Sequence, residues 1–533
     1  MAKDFNITGL CLPKEHYMAD VSHQLAETTE LIEKGKYFTI NRPRQYGKTT
    51  TLYTLMDRLI ADNYIVFNIS FEGIGDLIFN DEVLFSGGFF RLLTRVADDS
   101  ASELKDFLAE KALLIQNLEG LGEAITELCA KTEKKVVVLI DEVDKSSNNQ
   151  LFLNFLAMLR NKYLDRSRKR TFHSVVLAGL HDVKSLKLKL RPDEEAQYNS
   201  PWNIAIPYKV DMNLSAKSIK SMLEDYMQEQ NVSMNADLIS ERLFYLTSGY
   251  PYLVSHLCKI MAEEIIPTKM GQPANGGTVK EWTEADVNKA FQLILRERHN
   301  TNFDTVVKNL NEYPQLYKLV YAMVIDGQVF PYDNHDKTID LGVLHGILSR
   351  SKTDALMIQN RIYRELIANM MISEWRTGNL DDKSTDVFDV VSQYHLPNKG
   401  LDMQKVLERF QAFMKKEYSN KDRTFLERDG RMLFLAFMRP ILNGVGYDFK
   451  EPQISEEKRL DVVITYHQHL YVAELKIWYG EEAHQKGLAQ LVDYLDLLGL
   501  DTGYLLIFDH NKKKTWKKDW VTVHGKRIFW AKV

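Results

Sequence analysis

The chain is 533 residues long, 45% apolar and 26% charged, with a formal net charge of −5. Such a length exceeds the ~100–200 residues of one ordinary domain, so three or four cores are expected. No apolar run approaches the ~20 residues that cross a bilayer, which excludes a helical membrane protein, and the slight negative charge excludes a chain-wide attraction for nucleic acid, leaving only local patches.

The opening stretch, MAKDFNITGLCLPKEHY, has no basic segment leading into an apolar one, so no secretory signal is read there and a cytoplasmic location is expected. Cys11, Cys129 and Cys258 stand far apart and form no CxxC pair. That spacing predicts reduced core residues rather than disulfide partners or zinc ligands.

Residues 1–210 alternate short apolar strands, YFTIN at 37–41, YIVFNIS at 64–70, VVVLI at 136–140 and SVVLAG at 174–179, with helical stretches. The alternation predicts a parallel α/β sheet. RPRQYGKTT at 42–50 lies between the first strand and the helical stretch TLYTLMDRLIA. A strand–loop–helix of this kind presents backbone N–H groups and a helix N-terminus to anionic phosphates. Arg42, Pro43, Arg44, Gln45, Tyr46, Gly47 and Thr50 make up the expected nucleotide-binding loop, with Lys48 at the β/γ oxygens and the Thr49 hydroxyl on Mg2+. The usual loop, GxxxxGK[ST], opens with glycine; here Arg42 takes that place. VVVLIDEVD at 136–144 supplies the partner, an apolar strand delivering Asp141 to the metal and Glu142 toward an attacking water. The bland alternative is a core strand ending in a solvated acidic turn. ATP and Mg2+ are the cofactors expected.

Residues 211–300 turn helical, with Ser215 as an N-cap, a capping box from Thr283 to Asp286, and a break at GQPANGG, 271–277. They predict a helical lid. Over 301–385, helix PQLYKLVYAMVI, a hairpin around Lys352-Thr353-Asp354 and helix RIYRELIANMM predict a winged-helix domain, closed by the polar linker 376–388. Its basic residues Arg350, Lys352, Arg361 and Arg364 suit DNA phosphates or a partner protein equally.

The last domain, 386–533, begins its helices near residue 402 and carries KRLDVVITYHQHLYVAELKIW followed by the helix containing QLVDYL. Phosphodiester hydrolysis needs hard carboxylate ligands converging on one metal. Asp461 and Glu474 lie on successive strands joined at His467-Gln468-His469, and Lys476 projects from the same face as Glu474. Gln490 and Tyr494 are four apart, hence on one helical face. Taken singly, the E-x-K triplet reads as a cross-strand ion pair and Gln490/Tyr494 as a polar stripe. His467 and His469 read as a solvated turn rather than a metal pair, and the basic tail from His510 to Lys518 as a solvated edge loop.

RPRQYGKTT, LIDEVD, SVVLAGLHD and TSGYPYLV together resemble the AAA-type and STAND-type P-loop ATPases with an RPRxxGKT loop, over roughly residues 10–375. The resemblance implies a sensor strand ending at His181 and Asp182 and a lid motif at Gly249-Tyr250-Pro251. No arginine finger transfers cleanly among Arg160, Arg166, Arg168 and Arg170. Residues 401–533 resemble the PD-(D/E)xK nuclease superfamily, with its D…ExK core and QxxxY helix, and that resemblance makes Glu427, in FLERDGRMLFLAF, a further metal-site candidate. The whole is similar to bacterial fusions of an AAA-like ATPase with a PD-(D/E)xK domain, which implies defence or mobile-element biology. The expected fold is thus a multidomain α/β chain: P-loop sheet, lid, winged helix and nuclease. The expected activity is ATP-gated, Mg2+-dependent cleavage of nucleic acid, DNA rather than RNA, with a homo-oligomer and a protein trigger as open partners. The rival expectation is a STAND-like signalling or scaffold ATPase whose last domain only binds nucleic acid or protein.

Overall fold

A computed structural model describes residues 3–97, 99–143, 150–180, 202–267, 281–325, 328–378, 394, 396–397, 400–417, 434–435, 437–438, 441–442, 446–450, 453–455, 458–459, 462–466, 469–478, 480–509, 511 and 514–533. The chain divides into two compact units, Met1–Leu316 with Tyr332–Tyr363, and Tyr317–Pro331 with Arg364–Val533. The stretch 301–385, expected as one domain with its linker, is therefore shared between them.

In the first unit, α1 (Ser22–Glu33) leads to β1 (Phe38–Asn41), α2 (Lys48–Ala61), β2 (Ile65–Ser70), α3 (Glu82–Val96), α4 (Lys105–Leu114), α5 (Leu118–Ala130), β3 (Val136–Asp141), α6 (Gln150–Leu164), β4 (Ser174–Gly179) and β5 (Ile206–Pro207). The five strands form one parallel sheet in the order β2-β3-β4-β1-β5. Every position of β3 and of β4 is buried. Such uninterrupted Val/Leu/Ile runs, without an exposed polar alternate, are what a sheet covered on both faces requires. The four sequence-predicted strands are all present. Because the strands are parallel, the loop after β1 and the end of β3 emerge at the same sheet edge, with β4 between them.

Residues 211–300, expected as a helical lid, contain α7 (Ala216–Gln230), β6 (Ser233–Met234), α8 (Ala236–Thr247), α9 (Pro251–Ile260), β7 (Glu281–Trp282) and α10 (Glu284–Ile294). Ser215 caps α7 by accepting from Ser218 N–H, and Thr283 and Asp286 form the reciprocal capping box of α10. The break at 271–277 lies outside the described residues. Then come α11 (Thr301–Glu312), α12 (Pro314–Val324), α13 (Lys337–Leu344), the antiparallel hairpin β8 (Leu348–Arg350) and β9 (Leu356–Ile358), and α14 (Arg361–Gly378). The helices and hairpin read from the sequence are there; of the linker read at 376–388, residues 376–378 instead continue α14, and 379–388 lie outside the described residues.

The second unit holds α15 (Met403–Glu417), β10 (Gly446–Lys450), β11 (Gln453–Ser455), β12 (Lys458–Arg459), β13 (Val462–Tyr466), β14 (His469–Ile477), α16 (Glu481–Leu498), β15 (Thr502–Phe508), β16 (Lys518–Val523) and β17 (Lys526–Lys532). Six of the strands make a mixed sheet, β10-β13-β14-β15-β17-β16. The β16–β17 hairpin is absent from the sequence reading. It turns on His524 and Gly525, both at positive φ (48° and 82°), the pattern of a tight hairpin turn.

Candidate nucleotide site and carboxyl-terminal acidic site

The loop between β1 and α2 owes its shape to two left-handed residues, Gln45 (φ 58°) and Gly47 (φ 77°). Gly47 is the N-cap of α2, so the first amides of the helix open onto the loop. Lys48 is buried, and its Nζ donates to the carbonyls of Arg42 and Pro43, each at 2.9 Å, spanning the loop from within. The Thr49 hydroxyl donates to Asp141 Oδ2 at 2.6 Å. A hydroxyl and a carboxylate oxygen meeting at the sheet edge are the hard-oxygen donors that Mg2+ prefers. Glu142 follows with φ 54°, its N–H donating to Asp141 Oδ1 at 2.9 Å. This left-handed residue follows the end of β3 at the point where an acid is expected. Residues 144–149 are outside the described residues.

Arg42 explains the missing first glycine. Its guanidinium donates to the carbonyls of Asn41 and Val210, both at 2.8 Å, and lies over the Tyr208 ring; its N–H donates to Gly179 O at the end of β4. The side chain is an anchor to the sheet edge and the lid entry, which a glycine cannot provide. Tyr46 is likewise buried, and Thr50 accepts from Cys11 N–H at 3.2 Å.

That last bond draws the N-terminal segment over the loop. A cavity of about 180 Å³ lies beneath it, lined by Thr8, Cys11, Met18, Gly47, Tyr208 and Pro251 among others, with no Asp, Glu, Lys or Arg in its wall. An uncharged, partly apolar wall beside a phosphate loop suits a nucleobase and ribose. Sequence reasoning missed this part, because nothing in MAKDFNITGLCLPKEHY has a period or motif. Cys11 is half-buried at this cavity rather than in the core, whereas Cys129 and Cys258 are buried; all three are free thiols.

The lid motif is tightly defined. Gly249 has φ 75°, and a Cβ on it would stand 2.1 Å from Leu214 O, so no other residue fits. Tyr250 Oη donates to Arg44 O at 2.6 Å, bringing the lid onto the loop. His181 and Asp182 are outside the described residues. Of the arginines, Arg166 donates to Gly35 O and stacks on Tyr163, and Arg170 donates to Thr132 O, so both serve their own fold.

In the second unit, Glu474 is completely buried on β14 and Lys476 Nζ lies 2.8 Å from its Oε1. In register, Glu474 pairs with Leu505 and Lys476 with Ile507 of β15. Leu505 and Ile507 belong to the core under α16, which also includes Leu491 and Tyr494. Glu474 and Lys476 therefore face α16, and a Cβ on Gly487 would sit 3.5 Å from Lys476 Cγ, so the helix backbone passes over the lysine. Gln490 Nε2 donates to the Tyr494 hydroxyl at 2.8 Å, as their spacing predicts. Asp461 and Glu427 lie outside the described residues; Val462, next to the former, pairs with Ala473, next to Glu474.

A neighbouring pair escaped the sequence. Lys532 Nζ meets Asp509 Oδ2 at 2.8 Å, both side chains buried, and sits 3.5 Å from the Trp478 ring centroid. Burial alone would raise the Asp509 carboxyl, but the bond from Lys532 and those from Asn511 outweigh it and hold it below the ordinary carboxylate value. Its finding required β17, whose strand character was not read.

A family described as an AAA-like domain matches residues 10–322. An uncharacterised protein in the vnfD 5′ region of Azotobacter chroococcum mcd 1 is 31% identical over 126 residues, 22% of this chain and 24% of that protein, so the chain spans about a quarter of the curated relative's length. Among solved structures, the Walker-type ATPase PABY2304 of Pyrococcus abyssi has 11% identity and a TM-score of 0.45, covering 68% of this chain and 99% of that one. The Aeropyrum pernix ORC2 protein has 13% identity and a TM-score of 0.39, covering 70% and 99%. The Thermotoga maritima RuvB Holliday junction branch migration motor has 12% identity and a TM-score of 0.34, covering 65% and 95%. These likenesses are too general to carry over what those proteins act on. The family match, however, spans the loop, β3 and the lid, and the chain belongs to the AAA-like domain family, the P-loop ATPase type.

Proposed function

We propose that this ATPase-type protein carries a Mg2+-dependent nuclease of the PD-(D/E)xK kind in residues 386–533, acting on DNA in preference to RNA. In this reading the P-loop domain (1–210), lid (211–300) and winged helix with linker (301–385) license cleavage. The observation that supports it best is the placement of Glu474 and Lys476 on one sheet face under the helix that bears Gln490 and Tyr494. Asp461 and Glu474 are the carboxylates assigned to the metal, with Glu427 a further candidate; a bound Mg2+ supplies Lewis acidity toward a phosphoryl oxygen. Lys476 brings a positive charge to the same place, suited to the negative charge that develops on the phosphoryl group. At the nucleotide site, Lys48 and the loop amides hold the phosphates, Thr49 and Asp141 hold the ion, and Glu142 orients water.

In the winged-helix segment, Arg350 is bonded to Asp354 and Arg361 to Tyr245, which turns both toward their own fold. Lys352 and Arg364 are further basic residues to test against DNA. The complete burial of Glu474 favours the rival reading, a STAND-like signalling or scaffold ATPase whose last domain only binds nucleic acid or protein, because a working metal ligand must be reachable. Cleavage of linear, circular and single-stranded DNA and of RNA with Mg2+, wild type against Glu474→Ala, decides between them. Cutting that the substitution abolishes upholds the nuclease; cutting that survives it removes Glu474 from the site.

A further inference from the structure

The loop between β1 and α2 is held by a set of contacts from elsewhere in the first unit. Gly346, after α13, approaches so closely that a Cβ on it would lie 2.6 Å from Pro43 Cγ. Tyr250 Oη donates to Arg44 O at 2.6 Å, and Gln45 Nε2 donates to Thr301 Oγ1 at 3.3 Å. Tyr46 does most. Its hydroxyl donates to Asn213 Oδ1 and accepts from Gln359 Nε2 at 3.1 Å. Asn213 is itself oriented, its Nδ2 donating to Asp211 Oδ1 at 2.8 Å. The Tyr46 ring packs edge-on against Tyr250 at 4.5 Å, Tyr250 against Tyr363 at 5.8 Å, and the Tyr363 hydroxyl donates to Asn302 Oδ1 at 2.7 Å. Tyr46, Gln359 and Tyr363 are all buried, so these bonds have no water to replace them if broken.

Tyr46 sits between Gln45 and Gly47, both left-handed. A non-glycine residue such as Gln45 is disfavoured in that region, so the loop has little local reason to keep its shape. Two things stabilise it: the phosphate that accepts from its amides, and the contacts just described. Interactions that favour the same conformation are coupled, each strengthening the other by an equal factor.

We propose that Tyr46 is a positioning residue that couples phosphate occupancy of the loop to the packing of Gly346–Tyr363, with its phenol hydroxyl as the link between the lid entry at Asn213 and the hairpin end at Gln359. Nucleotide binding then tightens the β8–β9 hairpin and the start of α14, and a partner that loosens this segment releases nucleotide. The inference rests on the nucleotide site and is independent of the nuclease.

The test is amide hydrogen exchange over 346–363 in the full chain, with and without MgATP, beside a direct titration of MgATP binding. In the wild type, exchange there slows by about fivefold or more on nucleotide binding, the lower range of allosteric coupling. Tyr46→Phe keeps the ring on Tyr250 but loses the hydroxyl, and with MgATP raised to saturate the variant in its own titration its ratio of exchange rates falls to about 1. Gln359→Leu gives the same result, and the double variant adds nothing further, as expected for one shared bond. A merely structural role raises both exchange rates and leaves their ratio unchanged, and that outcome in Tyr46→Phe overturns the proposal. So does a wild-type ratio of 1 where titration shows binding. No binding in the wild-type titration overturns the nucleotide site itself.

Discussion

Thr49 and Asp141 are brought together from a helix start and a strand end 92 residues apart in sequence, and their 2.6 Å hydrogen bond is the part of the site most directly tied to metal chemistry. Because neither is the main charge partner of the phosphates, Thr49→Ala and Asp141→Asn should leave nucleotide binding within a few-fold of wild type in Mg2+-free titrations. Both should remove the Mg2+-dependent part of hydrolysis, a loss of about 100-fold or more, the scale on which one preorganised electrostatic contact acts. Hydrolysis that persists unchanged in both would detach this pair from the metal. Lys532 and Asp509 make the corresponding residue-scale test of the second unit. The Asp509 carboxyl is held below its ordinary value, so the unfolded chain binds the proton more readily than the folded one. Its stabilisation is complete at neutral pH and fades as the pH falls below the ordinary carboxylate range, through the lowered folded value. Lys532→Met keeps the stem beside Trp478 but strands a buried carboxylate, and should destabilise this unit by about 3–5 kcal/mol at pH 7 in chemical denaturation. The deficit should narrow in acid, where protonation removes the stranded charge; a deficit independent of pH would mean that packing, not the ion pair, was lost.

Among the elements, what the sequence disclosed and what it hid follow from where the information lies. β1, β2, β3 and β4 were legible because a parallel sheet buried on both faces demands unbroken apolar runs, and VVVLI and SVVLAG are such runs. The caps of α7 and α10 were legible because they are local, a side chain reaching an amide three residues on. The β16–β17 hairpin was not, because its lysines and exposed alternates resemble a solvated tail; only the His524-Gly525 turn betrays it. The cavity wall at residues 6–18 was hidden for a deeper reason, since it has no regular element and acquires its place only through bonds such as Cys11 N–H to Thr50. Arg42 shows the same limit: its position in the motif was readable, its bonds to Val210 and Asn41 were not. Two predictions belong here. Thr283→Ala breaks the capping box of α10 and should cost about 1 kcal/mol of stability, read as a shift in the denaturant midpoint without a change of slope. Gly249→Ala must move either the lid or the Leu214 carbonyl, now 2.1 Å from the added Cβ, and should cost about 2 kcal/mol or more. A near-neutral Gly249→Ala would show that the lid entry adapts.

For the whole molecule the question is whether the nucleotide site in one compact unit and the proposed nuclease in the other act as one. The nucleotide site lies wholly within the first unit, and Glu474, Lys476, Gln490 and Tyr494 within the second. Proximity therefore cannot be the argument for coupling; it has to come from a difference in free energy between states, which only a paired measurement detects. Lys48 is the residue to use. It bonds the loop carbonyls from inside and is the charge proposed to meet the phosphates, so Lys48→Ala should remove nucleotide binding while leaving the second unit's sequence untouched. If nucleotide licenses the nuclease, Lys48→Ala should cut DNA at the nucleotide-free rate of the wild type whatever the ATP concentration, and Glu474→Ala should bind and hydrolyse ATP normally while cutting nothing. The two variants mixed should not restore ATP-dependent cutting if gating runs within a chain, and should restore it if the active assembly passes the signal between copies. Equal, ATP-dependent cutting by wild type and Lys48→Ala would separate the two sites altogether.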